Sequence, residues 1–268
     1  MYCLKNRCLA AIIAVALAST CAATEVITSA KAISNEQVTT GYRKEQFGWF
    51  YGLFANASAS PYRGVNNKVR ALPVIGYKGK LFSWTGPRLS HQLIKQNKLT
   101  ASALLQYQLV GFEASDSAFF TGMNRRYNAL FGGLDTSYSH EKLTFKLAYL
   151  HDLQGRSSGS ETKLSVAHAY NIGPVFITPS VAINHLNSHY SNYYYGVRDA
   201  EARPERRAYR ASSTLNKSVG LSVATPIFFG GFSRLALTRT WLGSAIKNSP
   251  LSKDDKYWQV SLTFSRFF

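Results

Sequence analysis

The chain has 268 residues and a formal net charge of +17, from 31 Lys and Arg against 14 Asp and Glu. Only 17% of its residues are charged and 13% are aromatic, a composition that excludes an intrinsically disordered chain. Glycine outnumbers proline by 19 to 8, and tyrosine and phenylalanine dominate the aromatic residues. This mixture suits strands and tight turns and favours an all-β protein.

The first 23 residues have the organisation of a secretory signal peptide. Lys5 and Arg7 precede an apolar run from Leu9 to Ala18, and small residues before Thr24 suit cleavage after Ala23. The run is too short for a transmembrane helix, which needs about 20 apolar residues. All three cysteines lie in this segment, so the mature chain is predicted to form no disulfide.

Removal of the signal peptide leaves 29 basic against 14 acidic residues, a net charge of +15. Such a surface predicts contact with polyanions. In a bacterial envelope these are lipopolysaccharide, anionic lipid headgroups and the cell-wall polymer. The sequence lacks helix-turn-helix and RNA-binding signatures, so nucleic acid is not expected as a partner.

Residues 24–46 are polar and aperiodic and are predicted to form a periplasmic N-terminal segment. Over 47–268, apolar and polar residues alternate with a period of two. Transmembrane β-strands need about 9–11 tilted residues with one apolar face, so the pattern predicts a transmembrane antiparallel up-and-down β-barrel in the Gram-negative outer membrane. A soluble β-sandwich or a lipocalin-like barrel is the alternative fold. The alternation is clearest over 99–109, 143–149, 175–183, 215–223 and 258–268.

The predicted connections alternate between short turns and long polar loops, as expected for periplasmic turns and outer loops. The segment from Lys80 to Ile94 reads either as one strand or as two strands separated by Gly86-Pro87. These readings give eleven and twelve strands. Single-chain bacterial barrels have even strand counts, which favours twelve and leaves ten as the other even number considered.

The C-terminus resembles the closing strand of an outer-membrane barrel, which ends on Phe and directs assembly. Phe264 and Phe268 are the predicted assembly signal, preceded by alternating apolar residues. Arg266 interrupts the pattern and is expected to extend its guanidinium to the periplasmic interface.

Two segments of the sequence resemble the MipA/OmpV family of outer-membrane proteins. One combines Gly122-Met123-Asn124-Arg125-Arg126 with Phe131-Gly132-Gly133-Leu134, and the other combines Tyr193-Tyr194-Tyr195-Gly196-Val197 with Glu201-Ala202. The similarity runs from about Phe47 to Phe268. It implies a non-enzymatic scaffold that brings a lytic transglycosylase together with a penicillin-binding murein synthase. Other members of the family are linked to osmotic response and adhesion.

The second of these segments supplies candidate contact residues. Tyr193, Tyr194 and Tyr195 are predicted to form an aromatic girdle at the membrane interface. The loop that follows is rich in arginine, and arginine binds phosphate in a bidentate manner. A solvated loop of mixed charge is the alternative reading. The candidate contacts for lipopolysaccharide are Arg203, Arg206, Arg207 and Arg210.

One short motif raises the question of catalysis. His189-Tyr190-Ser191-Asn192 is similar to the His-x-Ser-Asn core of outer-membrane phospholipase A, and on a strand His189 could reach Ser191. The glycine expected after Asn192 and the Asn-Arg partner block are missing, so no catalytic residue is predicted. The other histidines lack the spacing of metal ligands, and neither a metal nor a cofactor is expected.

The alternative functions are a surface adhesin and a passive small-solute pore. An open lumen with excess positive charge would prefer anions, whereas a plugged lumen favours a scaffold or an adhesin. The predicted lumen-facing residues are Gln106, Gln108, Lys146, Lys163, Asn171 and Arg239.

Overall fold

The computed structural model describes residues 46–65 and 67–268 of the chain. The predicted signal peptide and residues 24–45 of the predicted periplasmic segment lie outside this range. No helix in the described part is long and apolar enough to cross a membrane.

The strand segments are β1 (Gly48–Ser58), β2 (Lys68–Lys78), β3 (Phe82–Thr85), β4 (Arg88–Gln96), β5 (Leu99–Gln108), β6 (Ala129–His140), β7 (Leu143–Asp152), β8 (Ser160–His168), β9 (Tyr170–Ile172), β10 (Val175–Leu186), β11 (Thr214–Thr225), β12 (Phe232–Trp241) and β13 (Lys256–Phe267).

These segments form one antiparallel sheet that closes on itself, because β13 pairs with β1. Segments β8 and β9 both pair with β10 and are two parts of one wall strand, interrupted at Ala169. The wall therefore has twelve strands, and the predicted up-and-down barrel is confirmed. Segments β3 and β4 flank Gly86-Pro87, so the reading of 80–94 as two strands is correct.

The two ends of the barrel differ in the length of their connections. One end holds the start of β1, the end of β13 and turns of two to six residues. Among these turns, Asn97 and Gly173 adopt φ angles of +42° and +56°, which two-residue hairpins require. This is the periplasmic end of an outer-membrane barrel. The long loops of the outer end are 59–67, 109–128, 153–159, 187–213 and 242–255.

Side chains alternate between a lipid-facing surface and a lumen. Exposed apolar residues such as Leu147, Val219 and Leu235 lie on the outer surface. The outer face of the wall is largely apolar, as the sequence pattern predicts, whereas the interior holds polar residues together with buried apolar ones such as Phe54, Phe131 and Phe176. Five of the six residues predicted to face the lumen occupy the alternate strand positions that point inward. They are Gln106, Gln108, Lys146, Lys163 and Asn171.

Arg239 is the exception, and its predicted lumen-facing position is wrong. It shares the parity of the exposed residues Leu235, Leu237 and Trp241. Its guanidinium carbon lies 5.4 Å from the ring centroid of Trp241 and 4.9 Å from that of Trp258. Contact with two aromatic rings makes this outward position tolerable for a cation.

The C-terminal strand forms the seam of the barrel. Phe264 lies opposite Leu53 in the β1–β13 register, and the ring of Phe268 lies 5.2 Å from that of Tyr51. Arg266 donates a hydrogen bond to the carbonyl of Phe229 in the periplasmic β11–β12 turn, at 3.2 Å. The role of Phe264 and Phe268 in assembly stays a prediction.

Candidate functional site: the outer cap

A short helix covers the outer mouth of the barrel, and we call the loop 187–213 that carries it the outer cap. Helix α1 (Ser188–Tyr195) lies in the loop between β10 and β11 and begins after Asn187, whose side chain accepts a hydrogen bond from the backbone N–H of Tyr190. Tyr190 and Tyr194 are four residues apart, so they share one helix face, and both are buried. They pack against four lumen-facing residues of β5, β6, β7 and β10 and two residues of the outer loop 242–255, which are Leu104, Phe131, Leu150, Leu186, Leu242 and Ile246.

The apolar residue Leu104 is explained by this cap. It is the one apolar side chain on the otherwise polar face of β5, and it is almost fully buried. Because it packs against the cap rather than facing a water-filled lumen, its side chain contributes to closing the mouth.

A buried ion pair joins the cap to the loop between β5 and β6. The guanidinium of Arg126 donates to both carboxylate oxygens of Glu201, at 2.9 Å to Oε1 and 2.7 Å to Oε2. The two side chains are only 1% and 2% exposed. Arg126 also donates to the carbonyls of Tyr193 and Asn124, each at 2.7 Å, and Glu201 accepts from the backbone N–H of Asn124 and Arg198. The pair is therefore well satisfied by hydrogen bonds, as a buried pair must be.

The electrostatics of Glu201 make the cap sensitive to acid. Burial raises the pKa of its carboxyl group, but the hydrogen bonds from Arg126 and from the backbone of Arg198 and Asn124 outweigh burial and lower the pKa to about 2. The ordinary value is 4.5. Because the pKa is lower in the folded protein, ionised Glu201 stabilises the cap fully above about pH 4.5, and this contribution declines as the pH falls towards 2.

We therefore expect the cap to loosen between about pH 4.5 and pH 2. The measurement is hydrogen exchange of residues 188–201, corrected for the intrinsic effect of pH. The variant Glu201→Gln is the control, because it has no carboxyl group to titrate and should show a flatter pH dependence. Equal protection of the native cap from pH 7 down to pH 2 would contradict this assignment.

A second buried arginine holds the same loop. Arg206 donates to the carbonyl of Glu201 from Nε at 3.1 Å and from Nη2 at 2.7 Å. It also donates to the carbonyls of Phe119 and Thr121. Burial, reinforced by the nearby charge of Arg203, lowers the pKa of the Arg206 guanidinium. The prediction that Arg206 contacts lipopolysaccharide is wrong, because its donors are engaged inside the cap.

The other three arginines of the predicted lipopolysaccharide contact, Arg203, Arg207 and Arg210, are exposed. Only Arg207 lines a cavity of about 430 Å³ between three outer loops, so the structure does not bring the three into one site. Their contact with lipopolysaccharide stays a prediction. The charged residues around this cavity are Arg63, Glu205, Arg207, Lys247 and Lys253.

The three consecutive tyrosines belong to the cap and not to the lipid-facing surface. Tyr194 is fully buried, and its hydroxyl donates to the carbonyl of Tyr127 at 3.2 Å. Tyr193 accepts at its hydroxyl from the N–H of Tyr127, and Tyr195 stacks on Tyr62 with ring centroids 5.3 Å apart. The predicted interfacial girdle is therefore wrong, because these residues form a helix above the barrel wall.

The same helix separates the residues of the phospholipase-like motif. His189 is exposed, whereas Ser191 is fully buried. Residues two apart on a helix do not face each other, so the strand geometry that would pair His189 with Ser191 is not formed.

Comparisons with known proteins cover both the β5–β6 loop, which carries Arg126, and the cap, which carries Glu201. A sequence model of the family described as MltA-interacting protein MipA matches residues 51–268. Outer membrane protein OmpV of Vibrio cholerae is 24% identical over 222 residues, which cover 82% of this chain and 86% of OmpV. Outer membrane protein Omp26La of Vibrio anguillarum is 28% identical over 159 residues, which cover 59% of this chain and 62% of Omp26La. Among solved structures, an outer membrane channel from Pseudomonas putida F1 aligns over 85% of this chain and 98% of its own, with 12% identity and a TM-score of 0.42.

Proposed function

We propose, since the chain belongs to the MltA-interacting protein MipA family, that it acts as an outer-membrane adaptor for enzymes that remodel murein. The expected partners are a lytic transglycosylase and a penicillin-binding murein synthase. The family match supports the proposal, because it extends over residues 51–268 and so over almost the entire barrel. The name of that family refers to one interaction of this kind.

The outer cap is the structural observation that favours an adaptor over a conduit. Tyr190 and Tyr194 pack against Leu104, Phe131 and Leu150 at the mouth of the lumen. The loop that carries them is held by buried hydrogen-bonded arginines. A barrel closed in this way suits a role in which the wall anchors partners.

An adaptor of this kind must meet its enzymes in the periplasm, and one periplasmic turn is suited to that contact. The turn at 226–231 is the longest of the described periplasmic turns. Phe229 is 82% exposed there and adopts a φ of +54°, which is unfavourable for a bulky residue. We expect this turn, together with the predicted periplasmic segment 24–46, to contact the partners.

Site-specific photo-crosslinking in cells tests the proposal. A photoreactive residue is placed at position 229 in the periplasmic turn and, as a control for sidedness, at position 248 in the outer loop. Position 229 is expected to crosslink a lytic transglycosylase or a murein synthase, identified by mass spectrometry, and position 248 is not. Recovery of only lipopolysaccharide and abundant porins at position 229 would contradict the adaptor role.

An anion-preferring pore is the second candidate, and the charge of the lumen favours it. Arg88, Lys146 and Lys163 face inward, and Arg88 pairs with Asp135 at 2.8 Å. Glu161 accepts a hydrogen bond from Gln108 at 3.0 Å. A lumen with this excess of basic residues would prefer anions once its mouth is open.

A further inference from the structure

A cluster of basic residues and tryptophans lies at the outer end of β11–β13, on the lipid-facing surface. In the register of these strands, Lys217 lies opposite Trp241, and Trp241 lies opposite Lys256. Arg239 lies opposite Trp258 in the neighbouring row of the same face. Side chains at these alternate positions point outward from the barrel wall. The five residues therefore form one external patch, which we call the rim cluster.

The rim cluster lies at the outer end of the wall strands, where the lipid headgroups are expected. Trp241 is the last residue of β12, and Lys256 is the first residue of β13. Towards the membrane centre the same face continues with the exposed apolar residues Leu221, Leu237 and Val260. Basic side chains are costly near the bilayer centre but tolerated near its interfaces, where tryptophan is also enriched. The position suits residues that meet a charged headgroup above an acyl-chain region.

The positive charge of the rim cluster is held in place without being neutralised. The guanidinium of Arg239 lies between the rings of Trp241 and Trp258. Its Nε is buried and has no hydrogen-bond partner among the described residues. Lys256 lies 4.0 Å from Asp255, and both side chains are half exposed, so this pair is weak.

We propose that the rim cluster binds a phosphate group of an outer-leaflet glycolipid, whose acyl chains lie on the apolar face below. Guanidinium and ammonium groups bind phosphate through charge-assisted hydrogen bonds, and the two tryptophans orient the guanidinium. This site goes beyond the proposed adaptor function and does not depend on it. It is also separate from the loop arginines, of which Arg206 is buried in the cap.

The test uses the mature barrel purified in detergent, with native mass spectrometry of bound lipid. The probes are bisphosphorylated lipid A, the same lipid without its phosphates, and inorganic phosphate. The triple variant Lys217→Gln/Arg239→Gln/Lys256→Gln is compared with the control Arg63→Gln/Lys247→Gln/Lys253→Gln, which removes the same charge from exposed positions of the outer loops. The rim variant is expected to bind bisphosphorylated lipid A about tenfold more weakly or worse, while the control binds as the native protein does. Dephosphorylated lipid A should bind the native barrel as weakly as the rim variant binds the intact lipid.

Three outcomes would overturn the proposal. They are undiminished binding by the rim variant, equal binding of the dephosphorylated lipid, and saturable binding of inorganic phosphate without binding of lipid A. The last outcome would assign the cluster to a free anion instead of a lipid. If the triple variant fails to fold, Arg239→Gln alone replaces it and is expected to weaken binding severalfold, with unchanged binding counting against the site.

Discussion

Replacing Arg126 by methionine is expected to open the outer cap of the barrel. The change leaves the buried carboxylate of Glu201 without its partner, and removing one member of a buried ion pair costs about 3–5 kcal/mol. It also removes the donors to the carbonyls of Tyr193 and Asn124. Because the bonds to Glu201 and Tyr193 connect the β5–β6 loop to the loop that carries α1, their loss should appear as local opening of the cap while the barrel wall stays folded.

The neighbouring residue supplies a matched control. Arg125 pairs with Glu113 at 2.7 Å, but the two side chains are 53% and 41% exposed. A pair this exposed contributes about 0–1 kcal/mol, so Arg125→Met should leave the cap closed. Hydrogen exchange of residues 188–201 and single-channel recording in planar bilayers provide the two readouts. Equal protection of the cap in both variants would show that the buried pair does not hold it.

The double variant Arg126→Met/Glu201→Gln separates charge from shape. It leaves no unpaired buried charge, so its cap should be less destabilised than the sum of the two single changes.

The conductance of the barrel with an opened cap then decides between the candidate functions. An anion-selective current that appears when the cap opens would favour the pore, whereas an opened cap without current would favour the adaptor.

The wall of the barrel could be predicted from the sequence because its environment is simple. Each wall residue faces either lipid or the polar lumen, so a period of two fixes its direction, and Gly86-Pro87 marks the break that gives twelve strands. The direction of Arg239 was predicted wrongly. The pattern shows that the residue is basic, but not that Trp241 and Trp258 lie beside it across two strands.

The cap could not be predicted in the same way. Its helix carried a local signal in Asn187, a residue type that begins helices, and in tyrosines spaced by four. The pairing of Arg126 with Glu201 had no local signal, because the two residues are 75 positions apart. Both lie in the segments that resemble the MipA/OmpV family, so the resemblance located the partners without revealing the bond. The burial of Arg206 likewise depends on carbonyls of a distant loop.

The resemblance also includes two adjacent glycines, for which the structure predicts opposite tolerance. Gly133 faces the lumen in β6, and a Cβ added there would lie 1.9 Å from the carbonyl oxygen of Tyr149 in β7. Backbone cannot yield as a side chain can, so Gly133→Ala must separate the two strands locally. At Gly132 the added Cβ would meet the end of the Leu153 side chain, at 2.6 Å, and this side chain can rotate away.

Gly133→Ala is therefore expected to destabilise the barrel by about 3 kcal/mol or more, and Gly132→Ala by less than about 1 kcal/mol. The first change acts where Gly133 lies opposite Leu150, so it should disturb both the β6–β7 pairing and the apolar packing beneath the cap. Urea unfolding of the two variants, refolded into the same detergent, gives the comparison. Equal stability of the two variants would mean that β7 adjusts its backbone at no cost, and would remove the structural reason for a glycine at position 133.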